Sequence, residues 1–354
     1  MIIGKGSYGK VESRDNKAVK TFSKLSHLLQ ECIALKYLDD CEFIVHSKGV
    51  NFANLELNME LYDCSLRVWL DQGPQGITGP RPSLPQILKI LKDVLMGLIE
   101  LHDRSLAHGD LKPSNILIRK SPLGAVLGDC GFVSIAKYAK VDRTAPIYRD
   151  PVISHDTSHD MYSFGILFLE ALTDIKLNRQ PTYEELKQLL HDKVTNLEYR
   201  KILYNLLHET KERRPSARII LHRLFNFNPI PWNKPSLLSS SSSLGRVHMS
   251  ILNDDKIYIR KLVKWTANLY EINRGKKGYG ALISHIDSHK IESSKFKLYT
   301  GVTLMILSAI FGKSGFREED VIKLCENTYD KEYIYIILNK LISDDVFISI
   351  LLSS

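Results

Sequence analysis

Three side chains that carry oxygen sit at short spacings in this sequence. Asp110 and Asn115 lie in the run His108-Gly109-Asp110-Leu111-Lys112-Pro113-Ser114-Asn115, and Asp129 lies in Gly128-Asp129-Cys130-Gly131. These types at these spacings suit phosphoryl transfer to a hydroxyl. In that chemistry an aspartate accepts the hydroxyl proton, an asparagine five positions on holds a metal ion, and a later aspartate bridges Mg²⁺ to the phosphates of ATP. The transfer asks little covalent chemistry of the protein, so positioning and charge carry the catalysis.

Groups that position a nucleotide are found upstream. Ile3-Gly4-Lys5-Gly6-Ser7-Tyr8-Gly9-Lys10-Val11 fits G-x-G-x-x-G-x-V, a pattern that lets backbone approach phosphates and that also describes ordinary turns. What singles it out is the piece that follows, Ala18-Val19-Lys20, strand-like and ending in a cation. Leu28, Leu35 and Leu38 then recur at helical spacing, which puts Glu31 on an amphipathic helix able to reach back to Lys20. A lysine has a long mobile stem, and a glutamate on a rigid helix fixes it without cancelling its charge.

Taken together, residues 1–227 resemble the eukaryotic protein kinase catalytic domain, with its motifs in the family's order. The resemblance implies an α+β, bilobal fold with a small β-rich lobe and a large helical lobe. It also implies roles. Asp110 orients and deprotonates the acceptor hydroxyl, Lys112 and Lys20 stabilise phosphate charge, Glu31 holds Lys20, and Asn115 and Asp129 ligate Mg²⁺. ATP would lie among residues Ile3 to Val11, Ala18, Lys20, Met59 and Glu60. Leu57-Asn58-Met59-Glu60-Leu61-Tyr62 looks like the fifth strand leading into the hinge, with Met59 at the back of the adenine pocket. Asp160-Met161-Tyr162-Ser163-Phe164-Gly165 resembles the start of the long buried helix whose aspartate braces the catalytic loop, and Arg213-Arg214-Pro215-Ser216 resembles the late arginine that closes the large lobe. Lys112, two residues after the aspartate, is what the serine/threonine branch carries, so the acceptors implied are serine and threonine hydroxyls of proteins.

Several positions depart from the family pattern. Gly109 stands where many kinases have the arginine that binds a phosphorylated activation segment, so order there is expected not to depend on phosphorylation. Cys130 replaces a phenylalanine and reads as a small buried hydrophobe. Val152 replaces the glutamate that usually pairs with the late arginine, so one buried ion pair is expected to be absent. Thr144 is one residue off the place of the threonine that contacts the catalytic aspartate. Only Met1, Ile2 and Ile3 precede the glycines, which predicts a short first strand with a frayed edge. Gln72 to Pro82 reads as a surface loop between two helices.

A chain of 354 residues, 44% hydrophobic and 25% charged, has room for two packed domains. The apolar stretch Gly301 to Gly312 is too short for a bilayer crossing, and the N-terminus holds the glycine pattern rather than a signal peptide, so a soluble intracellular protein is expected. Five cysteines without a C-x-x-C pair point to a reducing compartment and away from structural zinc. The net charge of +8 comes without aromatic-basic interleaving, which points to solvated helix faces and away from nucleic acid. Pro- and Ser-rich composition over residues 228–247 predicts a flexible linker.

Residues 248–350 show helical spacing, and Arg260 to Trp265, Leu298 to Ala309 and Ile336 to Leu341 resemble helices of a cyclin box. Phe311 and Ile334 stand where cyclins carry a lysine and a glutamate that contact the kinase helix. The pairing resembles kinase-cyclin fusions of giant DNA viruses and suggests a kinase regulated in cis by an all-α cyclin-like bundle. Open beside it are an accessory helical domain that binds something else, a pseudokinase scaffold, and a cyclin mimic that binds a partner kinase.

Overall fold

The structure is a computed structural model that describes residues 2–6, 9–74, 80–132, 134–135, 146–151 and 156–232, and further on 334, 335, 338 and 339. The chain divides into two compact units, Met1–Asn233 with Ser349–Ser354, and Lys234–Ile348.

The first unit opens with a five-stranded antiparallel sheet. Its strands are β1 (Ile2–Gly6), β2 (Gly9–Arg14), β3 (Lys17–Phe22), β4 (Ser47–Asn51) and β5 (Glu56–Glu60), in the order β1-β2-β3-β5-β4. The edge strand β1 stays paired as far as Ile2, opposite Glu12, with one register shift between Ile2 and Gly4. The first strand is thus short and irregular at its start, with no register partner for Ile3 among the described residues. Gly9 could carry no side chain here, since a Cβ would come 1.9 Å from the Thr21 carbonyl oxygen of the neighbouring strand. Between β3 and β4 runs α1 (Leu25–Tyr37), which buries Leu25, Leu28, Leu29, Cys32, Ile33 and Leu35. The helix expected around Glu31 from the spacing of Leu28 and Leu35 is therefore α1.

The remaining elements of this unit are mostly helical. After the short β6 (Cys64–Ser65) come α2 (Leu66–Gln72) and α3 (Leu84–Asp103). The loop between these helices supplies Arg81, whose Nη2 donates to the Ala171 carbonyl at 2.8 Å. At the start of α3, the Ser83 amide donates to Gln86 Oε1 at 2.9 Å, a capping-box contact, and the helix buries Ile87, Ile90, Leu91, Val94, Leu95, Leu98 and Leu101 along one face. Each such side chain, fully buried, stabilises the fold by about 1.5–3 kcal/mol before entropy is counted. Three short pieces, β7 (Leu106–Ala107), β8 (Ile116–Lys120) and β9 (Leu123–Leu127), carry the loops that matter for chemistry, and β10 (Ser134–Ile135) pairs with β7.

The centre of the helical part is α4 (Thr157–Thr173), buried nearly all round through Met161, Tyr162, Phe164, Ile166, Leu167, Phe168 and Leu169. A helix apolar on every side belongs in a core. It is followed by α5 (Tyr183–Lys193), α6 (Leu197–Leu206) and α7 (Ala217–Phe225). A Cβ on Gly165 would meet Leu207 at 2.8 Å, so glycine lets the segment ending α6 pack directly on α4.

Asp156 caps α4, accepting from the Ser158 amide at 3.0 Å and from Lys211 Nζ at 2.7 Å. Partial burial opposes its charge, but the Lys211 and Ser158 hydrogen bonds outweigh it and pull the carboxyl down to about 2. Its pKa is thus lower folded than unfolded, so its contribution is complete above about pH 4 and is lost as pH falls towards about 2. Asp156→Ala is expected to cost about 1 kcal/mol near neutral pH, a figure already reduced for solvent screening of this half-exposed pair. Urea unfolding of native and variant chains at a series of pH values should show the gap closing across that acid window.

The expectation that Arg214 lacks a carboxylate partner is overturned. Asp150, two residues before Val152, pairs with it bidentately: Nη2 to Oδ1 is 2.9 Å, Nη1 contacts Oδ2 as well, and neither side chain is exposed. Val152 and Thr144 lie outside the described residues. The predicted linker also begins differently. Its first residues are held rather than free, since Arg218 Nη1 donates to the Pro229 carbonyl at 2.8 Å and the Trp232 amide donates to Asp103 Oδ2 at 3.1 Å.

Of the second unit, Ile334 and Leu338 are helical, one turn apart and buried. The expected helices Arg260 to Trp265 and Leu298 to Ala309, the position Phe311, and residues 233–247 of the predicted linker lie outside the described residues. Among the described residues no helix is long and apolar enough to cross a membrane.

Candidate active site

The loop between β7 and β8 is held from beneath by α4. Asp160, fully buried, accepts from the His108 amide at 2.8 Å and the Gly109 amide at 3.0 Å, and faces His102 Nε2 at 2.9 Å. Burial alone would raise the Asp160 carboxyl, but the hydrogen bond and charge of His102, with His108 and the Gly109 amide, hold it below the usual aspartate value. This is the bracing expected of Asp160. Gly109 sits at φ 79°, a left-handed conformation that glycine adopts without the steric cost of a side chain. His108 is buried too. Its Nδ1 accepts from the Asp110 amide at 3.3 Å, which assigns the ring proton to Nε2, donating to the Gly128 carbonyl at 3.0 Å. That imidazole joins the loop of Asp110 to the loop of Asp129.

Asp110 is buried, and its Oδ2 accepts from Lys112 Nζ at 2.6 Å and from Asn115 Nδ2 at 3.0 Å. Asn115 Nδ2 also donates to the Asp110 carbonyl at 2.8 Å. With its amide nitrogen so engaged, Asn115 presents Oδ1 as an acceptor. The amide oxygen of Asn115 and the partly exposed Asp129 carboxylate are oxygen donors of the kind that Mg²⁺ takes together with substrate phosphates.

Lys20 ties three elements together. From β3 its Nζ lies 2.6 Å from Glu31 Oε2 on α1 and 2.7 Å from Asp129 Oδ1, just after β9. Burial disfavours its charge, yet Glu31 and Asp129 more than offset this and keep its pKa above the usual lysine value. Glu31 is pushed up to about 7, first by its complete burial and then by Asp129, against the pull of Lys20. Asp129 feels burial as well, but Lys20, His108 and Lys112 together hold it below the ordinary aspartate value. One cation thus faces two carboxylates, and the more exposed carboxylate keeps its charge more readily. Room for the Glu31 carboxylate comes from Gly131, where a Cβ would lie 3.3 Å from Oε2.

The remaining predicted nucleotide residues fall on the sheet. Ile3, Gly4, Lys5 and Gly6 form most of β1, and Lys10 and Val11 lie on β2 with Gly9; Ser7 and Tyr8 lie outside the described residues. Lys10 Nζ is 3.1 Å from Glu12, and Val11 pairs with Lys20 across β2 and β3. Ala18 and Met59, both buried, are partners across β3 and β5. The Glu60 side chain is engaged by Arg119 at 2.5 Å and Tyr62 at 3.1 Å. Cys130 is fully buried, its thiol pushed well up by desolvation, as a small hydrophobe would be placed.

The geometry has a counterpart among known proteins: residues 1–229 match the protein kinase domain family. The chain belongs to the protein kinase family. Similar proteins include the serine/threonine-protein kinase/endoribonuclease IRE1b of Arabidopsis thaliana, 29% identical over 178 residues, 44% of this chain and 19% of that protein. The serine/threonine-protein kinase SBK1 of Danio rerio is 29% identical over 199 residues, 48% of this chain and 49% of its own length. An inactive serine/threonine-protein kinase/endoribonuclease IRE1-like protein of Arabidopsis thaliana is 28% identical over 185 residues, 45% of this chain and 32% of that protein. The chain thus spans between about a fifth and about half the length of these curated relatives.

Sequence reasoning on this kinase missed His102. A signal was available, because Leu91, Leu95, Leu98 and His102 follow one helical face, and the first three are fully buried. A polar residue continuing such a stripe must find a polar partner inside, here Asp160.

Proposed function

We propose that this protein kinase transfers the γ-phosphoryl group of Mg·ATP to serine and threonine hydroxyls of proteins. The observation that carries this reading is that Lys20 Nζ lies within 2.7 Å of both Glu31 and Asp129, while His108, two residues before Asp110, donates to the Gly128 carbonyl beside Asp129 at 3.0 Å. Lys20 Nζ contacts the nucleotide phosphates, held by Glu31. Asp110 orients the acceptor hydroxyl and takes its proton as the oxygen bonds to the γ-phosphorus and the bond to the β-phosphate oxygen breaks, releasing ADP. Lys112, whose Nζ donates to Asp110 at 2.6 Å, neutralises charge on the group in transfer. Asn115 and Asp129 would hold Mg²⁺, which when bound screens the phosphate charge.

Lys20→Met is the test of the nucleotide half of this reading. It is expected to weaken Mg·ATP binding about tenfold and transfer about a hundredfold, as loss of one charged donor does. Calorimetric titration with and without Mg²⁺ checks the first, and unchanged affinity would remove Lys20 from the site.

The scaffold reading draws on Gly109, Cys130 and the inactive relative. Gly109 serves a left-handed turn and Cys130 fills core, so neither removes a charge from the site. The buried pair Ile334 and Leu338 conforms to the helical spacing expected over residues 248–350, and regulation of the kinase in cis by that segment is a separate part of the proposal. Undiminished transfer after truncation following Trp232 would remove it.

A further inference from the structure

Three segments distant in sequence meet at the C-terminal end of α3. The stretch following α1 is held there by Glu100, which accepts from the Glu42 and Phe43 amides at 2.9 Å each. Arg104, at the helix C-cap, donates through Nη1 to the Glu100 carbonyl at 2.9 Å and through Nη2 to Asp40 Oδ2 at 2.6 Å. The third segment is 226–232, whose Trp232 ring lies 4.5 Å from the Arg104 guanidinium carbon. That segment has its own hold on the helical part, since Asp103 Oδ2 accepts both from the Trp232 amide at 3.1 Å and from Arg218 Nη2 at 2.5 Å.

A buried guanidinium needs partners at its edge and cover on its face. Arg104 is only 4% exposed at its side chain, whereas Asp40 is 62% exposed. The strength of their pair therefore depends on how much water reaches it, and the indole covers one face of the cation. Asp40 lies three residues beyond Tyr37, the last residue of α1, the helix that carries Glu31. We propose that Trp232 is a positioning residue: by covering Arg104 it secures Arg104 to Asp40, fixes the end of α1, and so holds Glu31 against Lys20. The chain leaving Trp232 continues into the second unit, so the latch lies at the covalent root of that unit. The inference rests on the kinase reading for its effect on transfer, and on packing alone for its effect on α1.

The test uses the full-length chain. Trp232→Ala is expected to speed amide hydrogen exchange in Leu25–Tyr37 about fivefold and to raise KM for Mg·ATP about three- to tenfold while kcat changes less than about twofold. Trp232→Phe, which keeps an aromatic face, should restore most of both. Asp40→Asn should reproduce the effects from the other end of the contact, and the double variant should be no worse than the single ones, since both break one path. Native exchange in α1 of Trp232→Ala, or full additivity with Asp40→Asn, overturns the proposal. Should Trp232→Ala fail to fold, Asp40→Asn decides, because that half-exposed position tolerates the change: faster exchange in α1 supports the latch, native exchange overturns it. A native chain that transfers no phosphate sinks the kinase reading and leaves the exchange readout to judge this one.

Discussion

Asp110→Ala is expected to lower kcat for phosphoryl transfer by about a thousandfold while leaving Mg·ATP affinity within about threefold of native. The split follows from geometry. Asp110 points its carboxylate at Lys112 and Asn115 in the loop after β7, whereas the nucleotide phosphates are assigned to Lys20 on the sheet. Removing the carboxylate deletes the proton acceptor and the Lys112 contact, while Asn115 keeps its bond to the backbone carbonyl of residue 110, and it takes no donor from the phosphates. Steady-state kinetics paired with nucleotide titration separates the two. A parallel loss of affinity and rate would mean that Asp110 holds the nucleotide site together instead of acting on the acceptor.

Arg214→Ala should have the largest effect on stability, a loss of about 3–5 kcal/mol, because it takes from the buried Asp150 carboxylate the guanidinium that binds it bidentately. Both side chains are fully inaccessible, and Arg214 also donates through Nε to the His208 carbonyl at 2.9 Å and lies over the Tyr162 ring. Urea or thermal unfolding measures the loss. Replacing both members with leucine should recover part of it, since the cost of the single change is an uncompensated charge more than a missing attraction. A loss below about 1 kcal/mol for Arg214→Ala would show that water reaches Asp150 and that the pair contributes as an exposed one does.

The residues that could do chemistry were legible because phosphoryl transfer restricts their types and spacings. Asp110, Asn115, Asp129, Lys20 and Glu31 could be picked out before any fold was known, and Asp160 was recognisable as the brace beneath them. The pairing of Arg214 was misread for a physical reason. Position 152 holds valine, and whether Asp150 can supply the carboxylate instead depends on the path of residues 146–151 across α4, where Ser163 Oγ donates to the Tyr148 carbonyl at 2.7 Å. Residues 228–232 read as coil because Pro229 and Pro231 lack the backbone N–H that a ladder or a helix needs. What holds them is long-range: Arg218 grips Pro229 from α7, and Asp103 and Arg104 grip Trp232 from more than a hundred residues upstream. Composition encodes local preference and carries no record of such contacts.

The most direct test of the account is incorporation of labelled γ-phosphate from Mg·ATP into a generic basic protein, with the native chain and Asp110→Ala side by side. The account predicts label on serine and threonine with the native chain, dependent on Mg²⁺, and about a thousandth of that rate with the variant. Equal incorporation by the two chains would contradict it.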